Sequence, residues 1–220
     1  MRKIALDIET TGLNFLEGHK IVEIGCVELI ENFPTGKVWQ NYINPGRAMP
    51  QEAYEVHGLS SDFLLDKPRF SEIVEDFISF IKDSDLIIHN AKFDLTFLNY
   101  ELESINKKKI NRNEVNIIDT IEIAKKLFPG QSVSLDALCK RYKIDLDRRK
   151  VHGALLDAEL LAEVFLEMHG GRQQNIILST KEKHLEKHNF SDLKYSKKIY
   201  KLKEDELKKH KELLDTINNF

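Results

Sequence analysis

Asp7, Glu9, Asp94, His152 and Asp157 have the types and spacings to hold hard cations and to move protons. Asp7 and Glu9 stand two apart after the apolar run Ile4-Ala5-Leu6. In a strand, residues i and i+2 point to the same face. Two anions placed side by side in a buried setting are unfavourable unless something positive joins them. A divalent cation with oxygen ligands is the natural candidate. Asp94 follows His89-Asn90-Ala91-Lys92-Phe93, and Asp157 follows His152 by five residues. Each acid falls at the start of an expected helix, where the dipole favours negative charge. That favourable placement is by itself a sufficient structural reason for either one.

The elements that must carry these residues can be read from pattern. Ile4 to Leu6 suits a buried strand near the centre of a sheet. Ile21 to Ile30 has the alternation and β-branched content of a second strand. Phe33-Pro34-Thr35-Gly36 has turn chemistry, and Val38, Gln40, Tyr42 and Ile43 suggest a third strand, completing an antiparallel meander. Residues 50–67 read as irregular or briefly helical. Phe70, Ile73, Val74, Phe77, Ile78 and Ile81 recur at helical spacing with Ser71 as cap. Leu86-Ile87-Ile88 is a short buried strand followed by a helix from about Phe93 to Ser104. Ile117-Ile118 is another strand, after which Asp119 caps a helix to Phe128. Ser134 caps Leu135 to Tyr142. His152-Gly153 leads into a helix with an apolar face from Leu155 to Met168, stopped by Gly170-Gly171. The expected architecture is α/β, a mixed sheet flanked by helices, over residues 1–171.

Composition narrows the class. The chain has 220 residues, 41% hydrophobic and 31% charged, with a net charge of -3. That balance argues against holding nucleic acid mainly by bulk electrostatics, though an enzyme gripping a few nucleotides through metal ions needs no basic surface. Cys26 and Cys139 lack C-x-x-C spacing and lie in apolar segments, so buried thiols are expected. No run approaches membrane-span length and no signal peptide precedes the first strand, which points to the cytoplasm. Residues 181–220 hold 11 Lys and 8 Asp or Glu, so this tail carries about +3 against -6 for the rest. It reads either as helices that fold on a partner or as a charged helix lying on its own domain. His19, His169, His184, His188 and His210 read as solvated.

The order of the motifs carries more than any one of them. D-I-E-T-T-G, then I-I-H-N-A-K-F-D, then H-G-A-L-L-D-A resembles the DEDD exonuclease superfamily in its histidine subtype, over roughly residues 1–170. E-G-H-K-I-V-E-I-G, Y-E-V-H-G-L and S-L-D-A-L-C-K-R-Y are similar to the branch of that family that proofreads inside a bacterial replicase. The resemblance implies a ribonuclease H-like, five-stranded mixed sheet and removal of nucleoside monophosphates from a 3′ end. It also implies two divalent ions, Mg²⁺ or Mn²⁺, about 3.5–4 Å apart. Asp7 would bridge them, with Glu9 and Asp157 on one ion and Asp94, directly or through water, near the other. An imidazole suits a general base because its ordinary pKa lies near neutrality, and His152 takes that role by the same resemblance. Glu52 would meet the terminal 3′ hydroxyl or sugar and His57 the same nucleotide; Asp7, Glu9 and Asp157 would also touch substrate through the metals.

The same resemblance extends to partners. Gln173-Gln174-Asn175-Ile176-Ile177-Leu178, in the linker 172–180, is similar to the short peptide that docks replication proteins on the sliding clamp. The tail 181–220 would bind the catalytic (alpha) subunit of the polymerase, within a core that includes a small third subunit. The substrate would be a single-stranded or frayed DNA 3′ end. Two alternatives stay open at this level. One is an RNA 3′→5′ exonuclease of the ribonuclease T or oligoribonuclease type, and the other is a non-catalytic scaffold on the same fold.

Overall fold

A computed structural model describes residues 1–147, 151–171, 205 and 208–211. By contacts the chain divides into Met1–Ile176 and Ile177–Phe220. In the second unit the described residues, 205 and 208–211, are helical and exposed. The boundary expected at residue 171 is followed directly by residues outside the described ones. The linker with Gln173–Leu178 and most of the tail also lie outside them, as do His184 and His188.

In the first unit, β1 (Arg2–Thr10) runs between β2 (Ile21–Ile30) and β4 (Asp85–Ile88), antiparallel to the former and parallel to the latter. β3 (Phe33–Tyr42) pairs antiparallel with β2, and β5 (Ile117–Asp119) parallel with β4. The resulting order, β3-β2-β1-β4-β5, is the expected mixed sheet of five strands. The alternation along β1 sorts its side chains between two cores. Ile4, Leu6 and Ile8 pack with α3 (Phe70–Ile81) and α4 (Ala91–Ser104). Ala5 packs with α6 (Leu135–Tyr142) and α7 (Ala154–Met168) on the opposite face. Asp7 and Glu9 continue the row of Ala5, so the period-2 geometry of a strand turns both acids toward α7.

Helix α7 lies across β1 and β2. Ala154, Ala158 and Ala162, all fully buried, repeat every four residues along it, so one face of the helix is small enough to approach the sheet closely. α1 (Gln51–His57) and the four-residue α2 (Ser61–Leu64) supply the brief helices expected in 50–67. α5 (Thr120–Leu127) is capped by Asp119, whose side chain accepts from the Ile121 N–H, and α6 is capped by Ser134. Both caps agree with the sequence reading, and Cys26 and Cys139 are buried free thiols.

Three local expectations are corrected. The β2–β3 turn is Glu31-Asn32, both at positive φ (50° and 70°), and not Phe33–Gly36. Two left-handed residues match the twist of a tight hairpin, and Pro34 is tolerated because β3 is an edge strand. α3 begins at Phe70, one residue before the expected cap Ser71. The Glu72 carboxylate reaches back to accept the Arg69 N–H at 2.6 Å. His19 is not solvated: its ring contacts the Thr11 hydroxyl at 3.1 Å and fills the space beside Gly12.

Candidate active site

The ends of β1 and β4 and the starts of α4 and α7 meet at one cleft of about 390 Å³. Asp7, Glu9, Asp94, His152 and Asp157 all line it. Glu9 is carried there by the last regular residues of β1, just before a bulge where the β1–β2 register slips between Glu9 and Thr10. Bulges end regular pairing and re-aim the side chains beside them. Asp94 comes from the other side of the sheet. Asn90, left-handed at φ 75° and ψ 54°, turns the chain out of β4 into α4, a conformation asparagine tolerates better than most residues. One oxygen of Asp119 accepts the Ala91 N–H and the other the Ile121 N–H, both at 2.9 Å. That single carboxylate ties the starts of α4 and α5 together next to Asp94.

His152 and Asp157 arrive on α7. The helix starts at Gly153, and the Asp157 N–H closes the first turn on the Gly153 carbonyl at 2.9 Å. His152 Nδ1 lies 3.2 Å from Asp157 Oδ2. The His152 N–H bonds the Val56 carbonyl at 3.1 Å, which fastens the histidine backbone to α1. His152 is about half exposed at the cleft, whereas Asp157 is buried.

The electrostatics of the cleft call for positive charge. Burial pushes the Asp94 carboxyl up to about 8; the backbone N–H groups of Asp94 and Ile8 oppose the rise and the charge of Asp119 adds to it. Glu9, His152 and Asp157 each present a ligand atom within 4.8 Å of the others. Asp7 and Asp94 line the same cleft without belonging to that close group, and carboxylate oxygens gathered in this way are donors that hard divalent cations take. The residues present therefore fit the metal ions expected from the sequence.

Glu52 and His57 sit in an adjoining recess of about 620 Å³ that shares Ile8, Glu9 and Phe93 with the first. Glu52 is exposed on α1, and His57 is buried at its end. His57 Nδ1 accepts the Leu59 N–H at 3.1 Å, so a neutral ring carries its proton on the buried Nε2, which has no hydrogen bond of full geometry and only the Thr10 carbonyl as backbone acceptor. Burial holds this imidazole below the usual histidine range, with the Thr10 carbonyl opposing and the charge of His152 adding to the effect.

Several residues of this region were not singled out from sequence. His89 lines the cleft, with Nδ1 2.9 Å from the Thr120 hydroxyl. That hydroxyl sits 3.3 Å from the Ile88 carbonyl as donor. Glu23, on β2, is 2% exposed. Burial raises its carboxyl above the ordinary range; the Gln40 amide and the N–H groups of Ala154 and Leu155 oppose that, and the charge of Asp157 reinforces it. The available signal was a charged residue between Val22 and Ile24 in a mostly apolar strand, because buried acids need donors to justify them.

Residues 4–165 match the family described as Exonuclease. The DNA polymerase III subunit epsilon of Rickettsia felis is 47% identical, over 99% of this chain and 97% of that protein. The subunit of the same name from Escherichia coli K12 is 48% identical, over 78% of this chain and 72% of that one. Among solved structures, exonuclease X in complex with 5′ overhanging duplex DNA is 26% identical with a TM-score of 0.58, over 77% of this chain and 90% of that one. The nuclease domain of 3′hExo, a DEDDh family member bound to rAMP, superposes with a TM-score of 0.65 at 17% identity, covering 77% and 92%. That likeness is one of fold.

Proposed function

The chain belongs to the Exonuclease family, with DNA polymerase III epsilon subunits as near full-length relatives, and from that membership we propose that Asp7, Glu9, Asp94, His152 and Asp157 perform its 3′→5′ proofreading hydrolysis. The observation that carries this assignment is their convergence on one cleft from three separate stretches of sequence. Divalent ions, Mg²⁺ or Mn²⁺, held by Asp7, Glu9, Asp94 and Asp157 supply charge neutralisation and a more acidic water when bound.

The remaining work falls to the chain's own groups. His152, with its Nδ1 proton shared with Asp157, leaves Nε2 to take the proton of the attacking water. The water oxygen bonds to the phosphorus of the terminal phosphodiester as the bond to the 3′ oxygen of the preceding nucleotide breaks. That oxygen leaves with a proton from solvent, and a nucleoside 5′-monophosphate is released. Half exposure lets His152 pass its proton on to bulk water. Glu52 accepts from the terminal 3′ hydroxyl in the adjoining recess. His57, buried in the same recess, contacts the same nucleotide. Contacts to sugar and phosphate are indifferent to the base, which suits removal of whichever nucleotide is mispaired.

The partners follow the relatives, which are subunits of a polymerase. The tail 181–220 binds the catalytic alpha subunit, Gln173–Leu178 engages the sliding clamp, and a small third subunit completes the core. The test of the site is degradation of a 5′-labelled single-stranded DNA with Mg²⁺, beside a matched RNA. The wild-type chain is expected to shorten the DNA from its 3′ end. Asp7→Ala should be inactive with its fold intact, and His152→Ala slower by about 10²–10⁴-fold while still binding Mn²⁺. Undiminished cleavage by Asp7→Ala would sink the assignment, and preference for RNA would overturn the substrate.

A further inference from the structure

The strand beside Asp7 and Glu9 carries the residues on which α7 is seated. In the β1–β2 ladder Gly25 stands opposite Asp7, and Glu23 opposite Glu9. The helix backbone comes down on Gly25 so closely that a β-carbon there would lie 2.3 Å from the carbonyl carbon of Ala154 and the nitrogen of Leu155. Glu23, two residues away on the same face, meets the end of the helix. Its Oε2 accepts the Ala154 N–H at 3.1 Å. The first N–H groups of a helix have no acceptor within it, and the N-cap residue Gly153 has no side chain to provide one. The other carboxylate oxygen accepts the Gln40 amide at 2.7 Å, which pins the side chain from β3.

A buried acid beside Glu9 and Asp157 is an expensive way to fill space. An apolar residue of similar size would pack there without like-charge repulsion, but would leave the Ala154 N–H unsatisfied. Capping accounts for the carboxylate; packing does not. We infer that Glu23 is a positioning residue of the active site: by capping α7 from the neighbouring strand it sets the height and rotation at which His152 and Asp157 meet Asp7 and Glu9. His152 lies two residues before the capped N–H, and Asp157 lies three residues after it, so an error in seating reaches both. The inference rests on the reading that these residues form the active site.

The test compares Glu23→Ala and Glu23→Gln in the full chain. Glutamine keeps an acceptor of the same length, and its amide can pair with Gln40 once the latter's amide turns over. Three readouts are needed: steady-state hydrolysis of a single-stranded oligonucleotide, calorimetric binding of Mn²⁺ without DNA, and thermal denaturation. Residues that orient metal ligands typically carry about 10–100-fold of activity or metal affinity. Glu23→Ala is expected to lose that much kcat and to bind Mn²⁺ more weakly, with KM changed by less than about threefold. Glu23→Gln is expected to stay within about threefold of wild type throughout.

A folded Glu23→Ala with wild-type kcat and Mn²⁺ affinity overturns the proposal. So does equal loss in the glutamine variant, or a loss confined to KM. If Glu23→Ala does not fold, Gln40→Ala on the exposed edge strand releases only the second oxygen. It should lower kcat about 2–5-fold at constant KM, and an unchanged kcat there overturns the proposal. Activity in Asp7→Ala would instead bring down the assignment of the site itself, so the two failures are distinguishable.

Discussion

At Asp94 the stability of the fold and the proposed metal site meet in a single residue. Its carboxyl is fully buried, and burial raises its pKa from 3.8 to about 8. A carboxyl whose folded pKa lies above its unfolded value supports folding fully only below the unfolded value. That support is lost as pH climbs through the folded value. The metal-free protein should therefore lose thermal stability between about pH 4 and pH 8, and Asp94→Asn should flatten the loss. Added Mg²⁺ or Mn²⁺ should raise the melting temperature more at pH 8 than at pH 5, because the cation supplies the charge that the buried anion lacks. Denaturation scans with chelator and with metal check this. A slope unchanged in Asp94→Asn would remove Asp94 as its origin.

At the scale of elements, the site depends on how α7 sits on β2. The stripe Ala154, Ala158 and Ala162 and the missing side chain of Gly25 bring helix and sheet together. The His152 N–H bonded to Val56 then fastens the start of the helix to α1. Gly25→Ala places a methyl against backbone, which has no rotamer by which to move aside. Overpacking of this kind costs about 1–3 kcal/mol. The expected result is a lower melting temperature together with a fall in kcat, because the only relief is to lift the end of α7 away from Asp7. A variant as stable and as active as wild type would show that the helix seat is not under this constraint. α1 has its own double attachment, holding His152 through Val56 while carrying Glu52 and His57 in the adjoining recess. The proposed base and the residues proposed to meet the terminal nucleotide therefore lean on the same short helix.

On the scale of the molecule, the uneven charge becomes meaningful beside the fold. The tail is about +3 and the remainder about -6. The exonuclease unit thus carries the acidic share of the charge, and the DNA binding proposed for it would rest on cations and on short-range contacts. Among the described residues no helix is long and apolar enough to cross a membrane. A chain ended after Gly171 should keep metal-dependent hydrolysis, since every residue assigned to the site precedes it, but should no longer co-purify with the polymerase alpha subunit. Retained capture of the polymerase by the shortened chain would move the partner surface into the exonuclease domain.

Local rules of chain geometry account for part of this molecule. The i, i+2 spacing of Asp7 and Glu9 put both on one face of β1. Asp119 and Ser134 announced their helices, and the order of three motifs named the family before any contact was known. Relations between distant residues come instead from packing. Glu23 caps a helix 131 positions further on, Asp119 serves α4 as well as α5, and His89 faces the same cleft as His152. The misplaced β2–β3 turn and the supposedly solvated His19 failed for the same kind of reason. Turn position depends on the register of the paired strand, and burial depends on which loop folds over a residue. Local periodicity reports which way a side chain points. Its neighbour is chosen by register, by helix seating and by the need of every buried polar group for a partner.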